Sequence, residues 1–561
     1  MKPAASSVPR RTFLQASGLG LAWSLSGCQP ADTAAHITGG FTGVDVNRGH
    51  QLRDALAAGQ PWPAPTKTLH TDVVIAGGGV AGLAAGRALR QQGIEDFMLL
   101  ELEDSAGGNS RAGMLGGMAC PQGAHYLPVP GAGAPEVQDL LEELGLRQRV
   151  AGRWQYDERY LCHSPQERLF FNGHWQEGLL PLQGVGAATL AQYQKFAQLV
   201  EQAQKSAAWP LPMQNRPVAQ VLIALSAITF IAYLDQNGLS DPHLRWYLDY
   251  CCRDDYGAGL ETVSAWAGLH YFASRHGFHV PGLESAGPAE REGVLTWPEG
   301  NAWLARRLAA PLGDRVKTGK VVVRMANTRN GVEVDCLDMA TQTLERINAR
   351  RAIVALPLFI AARVLQNAPA FLQEAAQACV YAPWLVTNLQ LAEPLQDRPG
   401  AAPAWDNVLY GTSSLGYVDA MHQSLLPVPG ATVLTHYRAL GSVPGGPGAG
   451  RQQLLERPWT DWRDAVLAEL SVAHPDIAAK TRHMALTRYG HAMAVPVPRI
   501  LSQMGPGPRW NVRKQLSKSE RYPQRPVPVW EHFQFAHSDW AGYSVFEEAF
   551  ALGHAAGQAP L

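Results

Sequence analysis

The chain has 561 residues, 46% hydrophobic and 17% charged, a soluble globular composition whose length calls for two cores instead of one. Its 47 Lys and Arg nearly balance 48 Asp and Glu, and no basic stripe stands out, so nucleic acid is excluded as an expected partner. The longest apolar run beyond the N-terminal region, Val221 to Leu234, contains Ser226 and Thr229 and is too short to span a bilayer; it reads as a buried helix.

In chain order, Arg10 and Arg11 precede Thr12, Phe13, Leu14 and a weakly apolar stretch to Gly27, which resembles a twin-arginine export signal. Leu25-Ser26-Gly27-Cys28 resembles a bacterial lipobox, with Cys28 as the lipidated residue; a plain export signal beside an unrelated cysteine is the alternative. Residues 1–28 are therefore read as targeting. The expected location is periplasmic or lipid-anchored facing the periplasm, the twin-arginine machinery is an expected partner, and any membrane contact runs through the lipid. Residues 29–70, with Gly39-Gly40 and Pro61, Pro63 and Pro65, read as a linker.

The run from Thr71 to Arg111 carries the strongest signal. An apolar strand, Val73 to Ala76, enters Gly77, Gly79 and Gly82 in GxGxxG spacing. Gly77 permits the tight turn, Gly79 lets backbone approach a pyrophosphate, and Gly82 lets helix pack on strand, while the helix N-terminus offers N–H groups to phosphates. A second apolar strand, Phe97 to Leu100, ends at Glu101, where an acid accepts the ribose hydroxyls. Gly107, Gly108 and Arg111 form a second glycine turn, GGNSR.

With that turn the chain resembles the flavin-containing amine oxidase superfamily, whose members read GGGxxGLxxAxxL, then Glu, then GGR or a close variant. The resemblance implies FAD, with Gly108 lining the pyrophosphate. It also puts Arg111 in the role of the family arginine, whose place is taken here by Asn109.

Residues 131–294 are mainly helical in pattern, with Pro135 opening one helix and apolar periodicities near 187–205, 217–236 and 240–275. Val316 to Asp335 alternates as a hairpin around Asn330-Gly331, Ala352 to Leu356 is a short buried strand closed by Pro357, and Phe533 to Ala556 is a strand followed by a helix. The expected fold is α/β: a Rossmann-type FAD-binding domain assembled from 71–130, 295–365 and 528–561, plus an α+β substrate domain from 131–294 and 366–527. By the same resemblance Val321 or Val322 lies beside the adenine.

The family's C-terminal signature, a strand followed by FAG(D/E) and a glycine-led helix facing the flavin, is matched by FQFAHSDWAGYSVFEEAFALGHAAG. The match implies Asp539 as the acid at the ribityl or pyrophosphate, doubling as an N-cap, and Gly542 as the helix opening. Tyr543 is the implied wall of an aromatic cage that positions an amine, or else a core tyrosine. His125, in Gly123-Ala124-His125-Tyr126, titrates near neutrality beside the flavin or is hydrogen-bonded to cofactor or backbone. His491, in Arg488 to Met493, falls where the family has its second cage wall. No cysteine follows Cys379, which implies noncovalent FAD. Asn388 stands at the family's flavin-side lysine, where an amide holds a water but is no base.

Arg253, Asp254 and Asp255 form a charged cluster, read as a buried structural ion pair or as a group reaching the substrate. Cys251 and Cys252 read as buried thiols. His270, His276 and His279 fit no metal spacing, and no metal is expected. The leading expectation is an exported FAD-dependent oxidoreductase that moves hydride from an amine carbon to flavin N5, with oxygen or a respiratory chain component as acceptor. An apolar substrate, as in the related desaturases, and an FAD-stabilised binding protein without turnover are the alternatives.

Overall fold

The computed structural model describes residues 34–59, 61–213, 218–281, 293–425, 428–504 and 527–559. The twin-arginine and lipobox positions lie outside the described residues.

Val73, Val74, Ile75 and Ala76 are wholly buried, as the apolar run requires, and sit at the end of the strand Lys67–Ala76 in the middle of a sheet. Phe97–Leu100 pairs parallel on one side, with Val316–Lys317 beyond it, and Thr343–Val354 pairs parallel on the other. That last strand is long enough to take two partners on its far edge. Its first half pairs with Gly331–Asp338, which forms a hairpin with Lys320–Thr328 across Arg329-Asn330, while its last residues pair parallel with Phe533–Phe535. Three distant stretches of chain thus close one sheet. The helices Val80–Gln91 and Phe546–Gln558 pack together through glycine: a Cβ on Gly553 would stand 2.0 Å from the Ala81 carbonyl oxygen.

A second sheet has eight strands in the order Thr38–Phe41, Thr481–Val495, Val380–Leu391, Thr432–Ala439, Tyr417–Asp419, Asp406–Leu409, Glu167–Phe171 and His174–Glu177. Alternation sends its side chains two ways. Leu385, Leu389 and Leu434 join Trp175 and Trp462 in a core under the helix Trp459–Leu470, while Trp384, Val386 and Tyr437 belong to the core shared with the nucleotide sheet. Helices Ala187–Ser206, Pro242–Tyr256 and Ala265–Ala273 complete this half.

Two expectations are corrected. The supposed linker is in large part folded: Thr38–Phe41 adds a parallel strand to Thr481–Val495, and Val46–Ala57 is a helix capped by Asp45. Its glycines mislead because Gly39 is there for close packing, a Cβ on it falling 2.1 Å from the Met484 carbonyl oxygen. The single helix expected over Val221 to Leu234 is two short ones, Gln220–Leu225 and Phe230–Gln236. Thr229 caps the second, and the Ser226 carbonyl turns away to accept from the Arg499 amide.

Candidate functional site

The nucleotide end is built from two glycine turns stitched together. The Gly107 amide donates to the Gly78 carbonyl at 2.8 Å, and a Cβ on Gly108, at φ +59°, would stand 3.2 Å from the Gly79 Cα. A Cβ on Gly77 would clash with the Ala355 carbonyl and one on Gly82 with the Gly77 carbonyl, so both are packing glycines. Gly79 differs: a Cβ there meets nothing nearer than the Gly108 Cα at 4.0 Å, which leaves a lane beside the N-terminus of the helix Val80–Gln91.

Glu101 is buried and accepts the Gly78 and Glu103 amides, each at 2.9 Å. Burial pushes its carboxyl up despite these amides and nearby Arg111, and each oxygen keeps a second lone pair for a ribose hydroxyl. Lys320 donates its amide to the Glu101 carbonyl at 2.8 Å, so Val321 directly follows the residue bonded to the Glu101 backbone. The open lane and the acid at its end fit the pyrophosphate and ribose of FAD.

From there the chain returns along the second sheet. Asn388 donates to the Pro121 carbonyl, Tyr489 to that of Gln122 and Tyr437 to that of Gly123, at 3.0, 2.7 and 3.0 Å. Three side chains on one sheet face therefore hold three consecutive carbonyls, and the held segment leads into Ala124, His125 and Tyr126. His125 stacks on Tyr437 with ring centroids 4.2 Å apart, and Trp405 and Tyr126 stand 5.5 and 4.9 Å away. Behind the rings lie two half-buried carboxylates. Asp254 accepts from the Tyr126 hydroxyl at 3.1 Å, and Asp406 from Tyr250 at 3.4 Å.

Several site expectations change. His125 is in place, but burial takes its imidazole down to about 3, so it is a neutral ring near neutrality and not a titrating one. Asn388 is wholly buried, its amide nitrogen given to the Pro121 carbonyl and its oxygen accepting from the Thr435 hydroxyl at 2.7 Å. Tyr543 is 1% exposed, packs against Tyr256, Trp266 and His270, and donates to Glu548 at 2.7 Å, which makes it a core tyrosine and no cage wall. His491 keeps part of its surface open, but its ring packs against Phe359 and Tyr381; that desolvation, with Arg451, Arg363 and His50, takes it down to about 4.

Asp539 is buried and fully engaged, accepting from the Leu358 amide at 3.0 Å and Tyr381 at 2.6 Å. Burial opposes its ionisation, but His537, Tyr381 and the Leu358 amide hold it below the usual carboxylate range. Gly542, at φ +82°, ends the short turn Ser538–Ala541; the helix opens four residues later at Phe546. Its first turn carries Glu547 and Glu548, both buried, so that end is not a bare positive pole. Arg111 keeps its side chain between Glu101, Glu103 and Tyr489.

The charged cluster divides three ways. Arg253 pairs with Asp249 at 2.8 Å, Asp255 with Arg275 at 3.3 Å, and Asp254 turns to Tyr126. Tyr437, Trp405 and Asp406 carried no motif; only strand pairing brings them to His125. Among the described residues the six cysteines are free thiols, Cys251 and Cys252 buried, and no His, Cys, Asp and Glu side chains group as metal ligands would.

The family model for flavin-containing amine oxidoreductases matches residues 80–559. No curated protein matches the sequence. Putrescine oxidase, in a structure with putrescine bound, is 17% identical with a TM-score of 0.61, covering 87% of this chain and 98% of its own. Cyclohexylamine oxidase from Brevibacterium oxydans IH-35A is 18% identical with a TM-score of 0.56, over 87% and 98%. A fatty acid isomerase producing CLA, from P. acnes, is 15% identical with a TM-score of 0.53, over 86% and 97%. Such identities speak for the fold alone, and the neighbours act on unlike molecules. The family match over most of the chain, joined to the glycine cradle and its ribose acid, places the protein: it belongs to the flavin-containing amine oxidoreductase family and is a flavin-dependent oxidoreductase.

Proposed function

We propose that the enzyme oxidises an amine at the carbon next to nitrogen. The observation that carries this reading is the ring cluster of His125, Tyr126, Trp405 and Tyr437 backed by Asp254 and Asp406. Aromatic faces attract a cation, worth about 0.5–2 kcal/mol each according to desolvation, and a buried carboxylate needs a positive partner. A purely apolar substrate would offer Asp254 no such partner at this corner.

Bound FAD supplies the hydride acceptor. The chain's own part is to orient the substrate: the Asn388, Tyr489 and Tyr437 clamp fixes the His125 segment against which the substrate lies, and the rings exclude water. The product imine is hydrolysed by water, and oxygen or a respiratory chain component takes the electrons. With no cysteine beyond Cys379, FAD is held noncovalently and is released on denaturation. Export by the twin-arginine route, with lipid on Cys28, completes the proposal, since that route carries proteins already folded around a cofactor.

Anaerobic mixing of the holoenzyme with monoamines, polyamines and amino acids tests it. At least one should bleach the oxidised-flavin absorbance. If all leave it unchanged while an apolar alkene precursor bleaches it, the desaturase reading replaces this one.

A further inference from the structure

We propose that Asp254 is the group that takes the proton from the substrate's ammonium, with the Tyr126 hydroxyl holding its carboxylate in position. The inference rests on the amine reading. An amine arrives at neutral pH as R–NH3+, whose nitrogen has no lone pair to stabilise the carbon that loses hydride. One N–H bond must break first. The proton passes to the Asp254 carboxylate, forming an O–H bond and leaving R–NH2 and a neutral carboxylic acid; no electrons change hands in this step.

Geometry singles out Asp254. It is half-buried, on the helix Pro242–Tyr256, and accepts from Tyr126 at 3.1 Å. Tyr126 directly follows His125, and its ring stands 4.9 Å from that imidazole and 5.9 Å from Trp405. The carboxylate thus sits at the back of the rings where a cation would rest.

The other titratable groups facing this corner are otherwise committed. On its own helix Arg253 is paired with Asp249 and with the Ser413 and Ser414 carbonyls. Asp255 is paired with Arg275. Burial raises the Tyr250, Tyr271 and Cys251 groups well above their usual values, as it does Tyr126 and Tyr437, so all remain neutral. His125, brought down to about 3 by burial, is a poor base.

Asp406 is pushed up by burial, with Asp254 and Glu167 adding to the effect. Asp254 is pushed up to about 7 by burial and by Asp255, with Tyr126, Arg275 and Arg253 opposing. Asp254 therefore exchanges its proton near neutrality, where a general base works best.

The test uses the holoenzyme and the amine that bleaches it fastest, and follows anaerobic flavin reduction from about pH 5 to about pH 9. In the wild type the apparent second-order rate should fall as pH drops through about 7, because Asp254 must be ionised to accept. Asp254→Asn should lose that limb and slow by roughly 10²–10⁴-fold, with Asp254→Glu restoring part of the rate and the limb. Binding of tetramethylammonium, which has no proton to give, supplies a readout apart from turnover: it should tighten with rising pH in the wild type and become pH-independent in Asp254→Asn. If Asp254→Asn keeps the wild-type rate and limb, the proposal is overturned while amine oxidation stands. If no amine bleaches the flavin, both fall.

Discussion

Asn388 shows how a strand pattern can point to a residue without revealing its partners. The strand pattern located it, but its two hydrogen bonds, to Pro121 and from Thr435, are contacts across the sheet that no local pattern announces. Asn388→Ala would strand a buried carbonyl and a buried hydroxyl, so we expect unfolding in urea at about 2–4 kcal/mol lower free energy. Surviving holoenzyme should still be bleached by amine at near the wild-type rate, which a role beside the flavin would not allow.

A second residue-scale prediction concerns acid. Burial alone would raise Glu469, but His436, Arg438 and Ser414 override it and hold the carboxyl at about 2. Burial lowers His436 as well, and Arg438 stands 2.7 Å from the carboxylate. A carboxyl with a lowered value contributes its stability above the unfolded value of about 4.3 and loses it as pH falls through the folded one. The contribution is on the order of 3 kcal/mol. Equilibrium unfolding measured against pH should show a slope between about pH 4 and about pH 2 that Glu469→Gln flattens.

Between elements, glycine decides how closely the two helices beside the nucleotide lane approach. A Cβ on Gly553 would press on the Ala81 carbonyl at 2.0 Å, and one on Gly557 on the Ala85 carbonyl at 2.5 Å. Gly553→Ala should therefore separate the helices, cost about 1–3 kcal/mol in thermal or chemical unfolding, and loosen flavin. Gly79→Ala should do the opposite. Its backbone, at φ -70°, accepts alanine and the lane has room, so apoprotein stability should stay within about 0.5 kcal/mol while FAD content on purification drops. Equal loss of stability in both variants would contradict the assignment of Gly79 to the cofactor. The first-turn acids Glu547 and Glu548 were visible in the sequence, but their burial against Arg275, Tyr543 and Met213 came only from helix packing.

Across the whole molecule, the N-terminal segment ties the halves together. Thr38–Phe41 lengthens the second sheet, Arg463 holds the Ala34 carbonyl, and Arg48 reaches the Leu102 carbonyl and Asp104 beside the ribose acid. Removing residues 34–58 should expose the edge of Thr481–Val495 and lower the melting temperature by several degrees, read by calorimetry on holoprotein. The nucleotide half was legible because its signals are local: a strand, a glycine turn and an acid at fixed spacing are dictated by what one phosphate-binding turn must do. The sequence by itself determined that cradle, the existence of a hairpin near Asn330, and the family. Tertiary structure alone decided the ring-lined corner, bringing Trp405 and Tyr437 to His125 across gaps of hundreds of residues, because pairing between distant strands is set by long-range burial and register and leaves no periodic trace in the chain.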